Sequence, residues 1–69
     1  MSAPIIMEAE PGESVHDFAA RMVGRAWAEN EIVLGEFNQH TLEARPGSTR
    51  DGVIKPWDDE VRRSYAAGG

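Results

Sequence analysis

Cysteine is absent from this sequence of 69 residues. Without thiols the chain can form no disulfide and no cysteine-ligated zinc site, and it offers no cysteine nucleophile. A domain this short buries only about 60% of the surface that its unfolded chain exposes. Small domains commonly compensate with disulfides, metals or oligomerisation. Because the sequence has only two histidines and no cysteine, we expect no structural metal. Self-association is then the remaining common means of stabilising so small a domain.

Long apolar runs are also absent. Nothing approaches the ~20 apolar residues of a membrane-spanning helix. The N-terminal residues, MSAPIIMEAE, lack the basic start and the apolar core of a signal peptide. We therefore expect no contact with a membrane and a location in the cytoplasm. The lack of cysteine is in keeping with a reducing compartment.

Basic residues are few: seven lysines and arginines stand against twelve aspartates and glutamates, for a net charge of −5. The imbalance lies in residues 1–40, which hold seven acidic residues and two arginines. An acidic first half disfavours broad contact with nucleic-acid phosphates. It suits a basic protein surface, or simply solubility.

The sequence also lacks a recognisable set of catalytic residues. Catalysis needs a nucleophile with its base, paired carboxylates or a metal cluster. His16 and His40 fall on separate predicted elements, and neither has an obvious serine or aspartate relay in the sequence. The acidic run at residues 58–60 is most simply a favourable charge in the first turn of a helix. We expect no enzyme, no catalytic residue and no cofactor.

The stretch Glu31–Arg45 predicts a β-hairpin with a two-residue loop at Asn38-Gln39. In this register one face is apolar and consists of Val33, Gly35, Phe37, Leu42 and Ala44. The opposite face consists of Ile32, Leu34, Glu36, Thr41, Glu43 and Arg45. A longer loop would mix the two faces, so the clean register is favoured. Ile32 and Leu34 are then either scattered surface residues or part of a face that a partner or a second copy covers.

Two further elements precede the hairpin. Alternation over residues 3–9 predicts a strand. Ser14 is a suitable N-cap for a helix that Asn30 can end. The apolar stripe of this helix follows a helical period and consists of Val15, Phe18, Ala19, Met22, Val23, Ala26 and Trp27. We expect the stripe to face the apolar side of the hairpin, and Asp17 to pair with Arg21 one turn later.

The last element is interrupted by Pro56. Because proline removes an N–H donor and disfavours the α conformation before it, residues 49–54 are predicted as at most two helical turns, or as a loop. A helix is predicted to start at Pro56 itself. Its stripe would be Trp57, Val61 and Tyr65, with ion pairs Asp58–Arg62 and Asp59–Arg63.

The order strand, helix, strand, strand, helix predicts a single small α+β domain over residues 1–69. The simplest architecture is a three-stranded sheet with a helix packed on one face.

Two sets of residues are candidates for binding. The turn after the hairpin offers backbone N–H groups and two arginines for an anion, and its residues are Arg45, Gly47, Ser48, Thr49 and Arg50. The plain alternative is an ordinary capped turn. Apolar and aromatic side chains beside charge are typical of protein interfaces, and this second set is Ile32, Leu34, Glu36, Glu43, Trp57 and Tyr65. The plain alternative is that both aromatic residues complete a small core.

Three segments together resemble a type of small protein frequent in phage and prophage genomes: PGESVHDFAARMV, EFNQHTLEARPGST and Trp57. In that type an amphipathic helix precedes an Asn-turn hairpin, a PGST-like turn and a last helix that carries Trp. The chain departs from it in two places, since Gln39 stands where the type has Gly and Pro56 interrupts the last helix.

The resemblance implies an accessory protein of a mobile element, of the host-takeover or anti-defence kind. It implies a non-enzymatic inhibitor that binds and blocks a host bacterial protein, as anti-CRISPR proteins and anti-activators do. Two alternatives stay open: an oligomeric sponge that sequesters a phosphorylated small molecule such as a nucleotide immune signal, and a structural subunit of a larger assembly.

The face that carries Ile32 and Leu34, with Ile6 as a further member if the N-terminal strand joins the sheet, also predicts a homo-oligomer, most simply a dimer. A two-fold interface uses each apolar residue twice, and burial of one Leu or Ile stabilises by about 1.5–3 kcal/mol. The competing interpretation is that the last helix folds over this face within one chain through Trp57, Val61 and Tyr65.

Overall fold

The structure is a computed structural model that describes residues 3–68 and the side chains of residues 3–65. The elements follow in the predicted order: β1 (Ile5–Glu8), α1 (Val15–Glu29), β2 (Val33–Phe37), β3 (His40–Ala44) and α2 (Arg50–Gly68). The class is α+β with a three-stranded sheet, as predicted. Of the domain predicted over residues 1–69, residues 1, 2 and 69 lie outside the described part.

β2 is the central strand of the sheet, which has the order β1-β2-β3. β1 and β2 run parallel because α1 connects them as a crossover. β3 is antiparallel to β2 in the predicted register, with Phe37 opposite His40. The loop residues Asn38 and Gln39 both have positive φ, 48° and 68°, which is the combination of a type I′ turn.

Both helices pack against the same face of the sheet. The buried side chains come from α1, β2, β3 and α2, and they are Val15, Phe18, Ala19, Met22, Ala26, Val33, Leu42, Ala44, Val53 and Ile54. Ile5 and Met7 of β1 are partly buried against this core. The alternation of each strand therefore directs one set of side chains under the helices and the other set away from them.

Helix α1 begins and ends as predicted. Ser14 accepts a hydrogen bond from the Asp17 backbone N–H at 3.1 Å, and Asn30 ends the helix in the left-handed conformation, with φ 53°. The expectation that Trp27 faces the core is wrong, because its side chain is 60% exposed. Position 27 lies at the border of the stripe, beside α2, and its indole Nε1 donates to the Ser48 carbonyl at 3.3 Å.

Helix α2 is longer than predicted. It begins at Arg50 and continues through Pro56, so the prediction of a separate helix starting at Pro56 is wrong. Thr49 is the N-cap, since its Oγ1 accepts from the Gly52 N–H at 3.1 Å. Val53 and Ile54 are buried, and burial of two such side chains, about 1.5–3 kcal/mol each, offsets the roughly 3 kcal/mol cost of an internal proline.

Some ion pairs differ from those predicted from helical spacing. Arg62 Nε lies 3.0 Å from Asp58 Oδ2, as predicted. Asp59 instead meets Lys55 of the preceding turn, at 3.5 Å. Arg21 binds a glutamate of the β1–α1 loop rather than Asp17. Exposed pairs at helical spacing are weak, about 0.3–0.5 kcal/mol each, so a better partner elsewhere readily replaces them.

Gly35 allows α1 to lie directly on the central strand. A Cβ atom at this position would be 2.6 Å from Phe18 Cζ and 2.7 Å from Met22 Sδ. Phe18 and Met22 are both fully buried and cannot move aside without disturbing the core. The absence of a side chain on Gly35 therefore sets the distance between α1 and the sheet.

We predict that Gly35→Ala destabilises the fold by about 1–3 kcal/mol, the usual cost of forcing an extra methyl into a filled core. Gly24 is the matched control, because a Cβ there meets nothing within 4 Å. Gly24→Ala should stabilise by up to about 1 kcal/mol, since alanine is the better helix former. Urea denaturation of both variants measures the difference, and an unchanged midpoint for Gly35→Ala would contradict this packing.

Candidate functional site

The face of the sheet opposite the helices is the main candidate surface, and we call it the open face. Its members point away from the core on the three strands and at their ends, and they are Ile6, Glu8, Ile32, Leu34, Glu36, Thr41 and Glu43. Ile6 is 68% exposed, Ile32 is 38% exposed and Leu34 is half-buried. Within the described residues no helix covers them, because α2 lies beside α1. The competing interpretation, in which α2 folds over this face, is therefore wrong.

The apolar residues form the centre of the open face. Ile6 of β1 lies in register with Leu34 of β2, so the two side chains are neighbours on one face. Ile32, Leu34 and Glu43 line a shallow concavity of about 230 Å³ together with Pro4 and Glu31. The result is an apolar patch with a depression that a side chain of another molecule can enter.

Carboxylates border this patch. Glu8 and Glu36 lie opposite each other in the parallel pair of strands, an arrangement of like charges that destabilises a sheet. In residues 3–65, no arginine, lysine or histidine forms an ion pair with either of them. Glu43 is paired with Arg45, whose Nε lies 3.0 Å from Glu43 Oε2. The border of the open face therefore has a negative charge that a basic partner would neutralise.

The outer edge of β1 is protected at its C-terminal end. Ile5 donates its N–H to the Ile32 carbonyl at 2.9 Å, so in this parallel ladder the peptide groups of Ile6 and Glu8 point outward. Arg21 reaches over from α1 and donates to the Glu8 carbonyl at 3.1 Å. Pro4, just before the strand, has no N–H to offer. A cationic cover and a proline are common protections of sheet edges.

The same arginine holds the β1–α1 loop. Arg21 donates from Nε to Glu13 Oε2 at 2.7 Å and from Nη2 to Glu13 Oε1 at 2.8 Å. Glu13 Oε1 also accepts the Glu10 N–H at 2.9 Å. The hydrogen bonds from Arg21 lower the pKa of Glu13 below its ordinary 4.5, and the bond from the Glu10 backbone adds to this. The ion pair raises the pKa of Arg21 in turn.

Aromatic rings fill the other end of the core, under the hairpin turn. The Phe37 ring lies 6.1 Å from Phe18 and 5.9 Å from Trp57. His40 meets Trp57 edge-on at 6.5 Å, and its Nδ1 lies 3.3 Å from Glu60 Oε1. Despite this short distance, His40 Nδ1 has no hydrogen-bond partner within residues 3–65. These ring contacts connect the hairpin turn to α2.

The predicted anion site is a capped turn whose polar atoms bond to one another. Ser48 Oγ accepts the Arg45 N–H at 2.9 Å, and the Ser48 N–H donates to the Arg45 carbonyl at 2.9 Å. Gly47 has φ +98°, which the tight turn requires. Thr49 caps α2 and the Arg45 side chain turns toward Glu43. Arg50 and Asp51 together put both signs of charge at the helix start, so anion binding here stays a prediction.

The predicted interface residues divide between two parts of the molecule. Ile32, Leu34, Glu36 and Glu43 lie together on the open face. Trp57 packs against the core and Tyr65 is 80% exposed near the end of α2, so both lie on the helix side. The open face has two further members: Ile6, which the sequence places there if the N-terminal strand joins the sheet, and Glu8, which was not predicted. The alternation of residues 5–8 was the signal for them, once β1 joined the sheet.

Comparison of the chain with protein-family models, with curated proteins and with solved structures gave no match. Neither helix in residues 3–68 has an apolar stretch long enough to cross a membrane. In the same part of the chain, no three histidine, aspartate or glutamate side chains come together as metal ligands would. The open face is thus the main candidate for a functional surface.

We predict that the bond between Glu13 and Arg21 stabilises the fold in a pH-dependent manner. Because the folded-state pKa of Glu13 is lowered, its contribution is present above the unfolded-state pKa and is lost as the pH falls through the folded-state value. Glu13→Gln, Arg21→Gln and the double variant form a thermodynamic cycle. Thermal unfolding should give a coupling at neutral pH that declines on acidification below about pH 4. A coupling free energy that is the same at neutral pH and below about pH 4 would contradict this assignment.

Proposed function

We propose that this chain is a non-enzymatic inhibitor that binds and blocks a host bacterial protein through its open face. The observation that carries the proposal is the uncovered apolar centre of that face, where Ile6 and Ile32 are exposed beside Leu34. Apolar patches rimmed by polar residues mark interaction sites more often than chance exposure does. The resemblance to phage accessory proteins supports the same function, and with it we propose a location in the bacterial cytoplasm.

The charges on the border indicate the chemistry of the partner. Glu8 and Glu36 repel each other in the free chain, and a lysine or arginine seated between them would remove that repulsion. The net charge of −5 adds long-range attraction to a basic surface and speeds association. We therefore propose a partner surface with an apolar protrusion surrounded by basic side chains.

The chain is large enough for a protein interface of standard area. A standard interface buries about 800 Å² on each partner, which is about one sixth of the 4908 Å² that this chain exposes. Buried apolar side chains contribute about 1.5–3 kcal/mol each before the costs of association are subtracted. The apolar centre of the open face would thus supply a central contact, with the acidic border setting orientation.

We predict that Ile6→Glu weakens partner binding by at least about tenfold, as loss of a central interface contact does. Ile6 is exposed, so this variant should keep the stability of the wild type to within about 0.5 kcal/mol. Tyr65→Glu is the matched control, because Tyr65 is an exposed apolar residue on the helix side. The immobilised proteins are incubated with a bacterial lysate, and the protein retained by the wild type is purified and titrated calorimetrically with each variant.

The expected result is one dominant protein that binds the wild type and Tyr65→Glu equally and Ile6→Glu weakly. Equal binding by all three chains would move the interface away from the open face. A phosphorylated small molecule that co-purifies in the absence of any protein partner would contradict the proposal and favour nucleotide sequestration.

Sedimentation equilibrium at tens of micromolar tests the predicted homodimer. A dimer that dissociates in Ile6→Glu would assign the face to a second copy.

A further inference from the structure

The outer edge of β3 is open, and unlike the Glu8 carbonyl of β1 its outward groups meet no side-chain donor in residues 3–65. Phe37 and His40 flank a two-residue turn and form the hydrogen-bonded pair next to it. The ladder of an antiparallel pair alternates, so the peptide groups of Thr41 and Glu43 point away from β2. Among the described residues, the hydrogen bonds outside helices and strands use neither of these two backbones. Two N–H and two C=O groups thus face outward.

A groove lies along this edge, between β3 and α2. Its volume is about 350 Å³, and it is lined by Thr41, Leu42, Glu43, Arg45, Ser48, Gly52, Val53, Pro56 and Trp57. This volume is within the range of sites that hold small ligands or peptide side chains. The wall formed by α2 is apolar at Val53, Pro56 and Trp57, so the groove suits an apolar side chain.

The helix side of the groove also has a carbonyl without its usual partner. In a helix the carbonyl of Gly52 would accept from the N–H of residue 56, which is a proline and has none. Gly52 is exposed and lines the groove. The groove therefore has outward-facing backbone groups on the strand side and, on the helix side, a carbonyl that lacks its usual donor.

We infer that this groove binds an extended peptide segment, which adds to β3 as a fourth strand. Addition of a strand to a sheet edge beside a helix is a general mode of peptide recognition, in which backbone hydrogen bonds give affinity and alternate side chains give specificity. The site is separate from the apolar centre of the open face, and the inference holds whatever protein that face binds.

Charge selects the kind of segment. Alternate side chains of an added strand would enter the groove against Leu42 and Val53, and these should be apolar. The others would lie on the open-face side next to Thr41 and Glu43, with Glu36 one strand further, and these should be basic. A second copy of this chain is a weaker candidate, since it carries the same net charge of −5.

The test uses the hexapeptide acetyl-Val-Lys-Val-Lys-Val-Lys-amide with the isotope-labelled chain, and the block peptide acetyl-Val-Val-Val-Lys-Lys-Lys-amide as control. The two have the same composition, but only the first separates apolar and basic side chains on opposite faces of a strand. We expect the alternating peptide to shift the amide resonances of Thr41 and Glu43 and to slow their hydrogen exchange by at least about tenfold. The amide of Ile6, on the opposite edge of the sheet, should not respond.

Backbone and side-chain effects are separated by substitution at one position. Thr41→Pro removes the outward N–H while leaving the bonds to β2, as prolines on edge strands do, and should weaken peptide binding by at least about tenfold. Thr41→Ala keeps the N–H and should bind like the wild type. Unshifted Thr41 and Glu43 amides at millimolar peptide, or equal binding of both peptides, would overturn the inference without any variant. So would a wild-type dimer that Thr41→Pro converts to a monomer, because the second copy would then occupy the edge.

Discussion

The contact between α1 and the central strand at Gly35 is the constraint on which the rest of the structure depends. Phe18 and Met22 occupy the space of the missing side chain, so the helix lies close to the sheet and buries the apolar side of the hairpin. The Phe18 ring then supports Phe37, and Phe37 supports Trp57 of α2. With α1 in this position, α2 packs beside it on the same face. Among residues 3–68, neither helix then covers the opposite face.

Patterns and caps within a single segment predicted the parts of the fold in which local preference and tertiary packing favour the same structure. The register of Phe37 and His40 followed from the separation of apolar and polar residues, and the caps at Ser14 and Asn30 followed from side-chain chemistry. Pro56 is the opposite case. Its local effect favours a break, but Val53 and Ile54 are buried on the sheet, and that burial has the larger free energy. No pattern within α2 shows this, because the other half of the contact lies in β3 and α1.

The candidate surface was predictable in part for the same reason. Leu34 and Glu43 share the open face because of the hairpin register, which the sequence predicts. Ile6 joins them only through the parallel pairing of β1, which depends on the path of the chain through α1. Tyr65 was predicted from helical spacing, yet its side chain is 80% exposed near the C-terminal end of α2. Helical spacing predicts which residues share a stripe, and the length of the opposing surface decides how many of them are buried.

The most direct measurement of the central claim is the exposure of the open face in the free chain. Methyl groups of the isolated protein can be observed by NMR with a soluble paramagnetic probe, at a concentration where sedimentation gives a monomer. The account predicts strong relaxation enhancement for the methyls of Ile6 and Ile32, and protection of Leu42, which is 2% exposed. Ile6 and Ile32 methyls as protected as those of Leu42 would show that the face is covered within the chain, and would contradict a binding function for it.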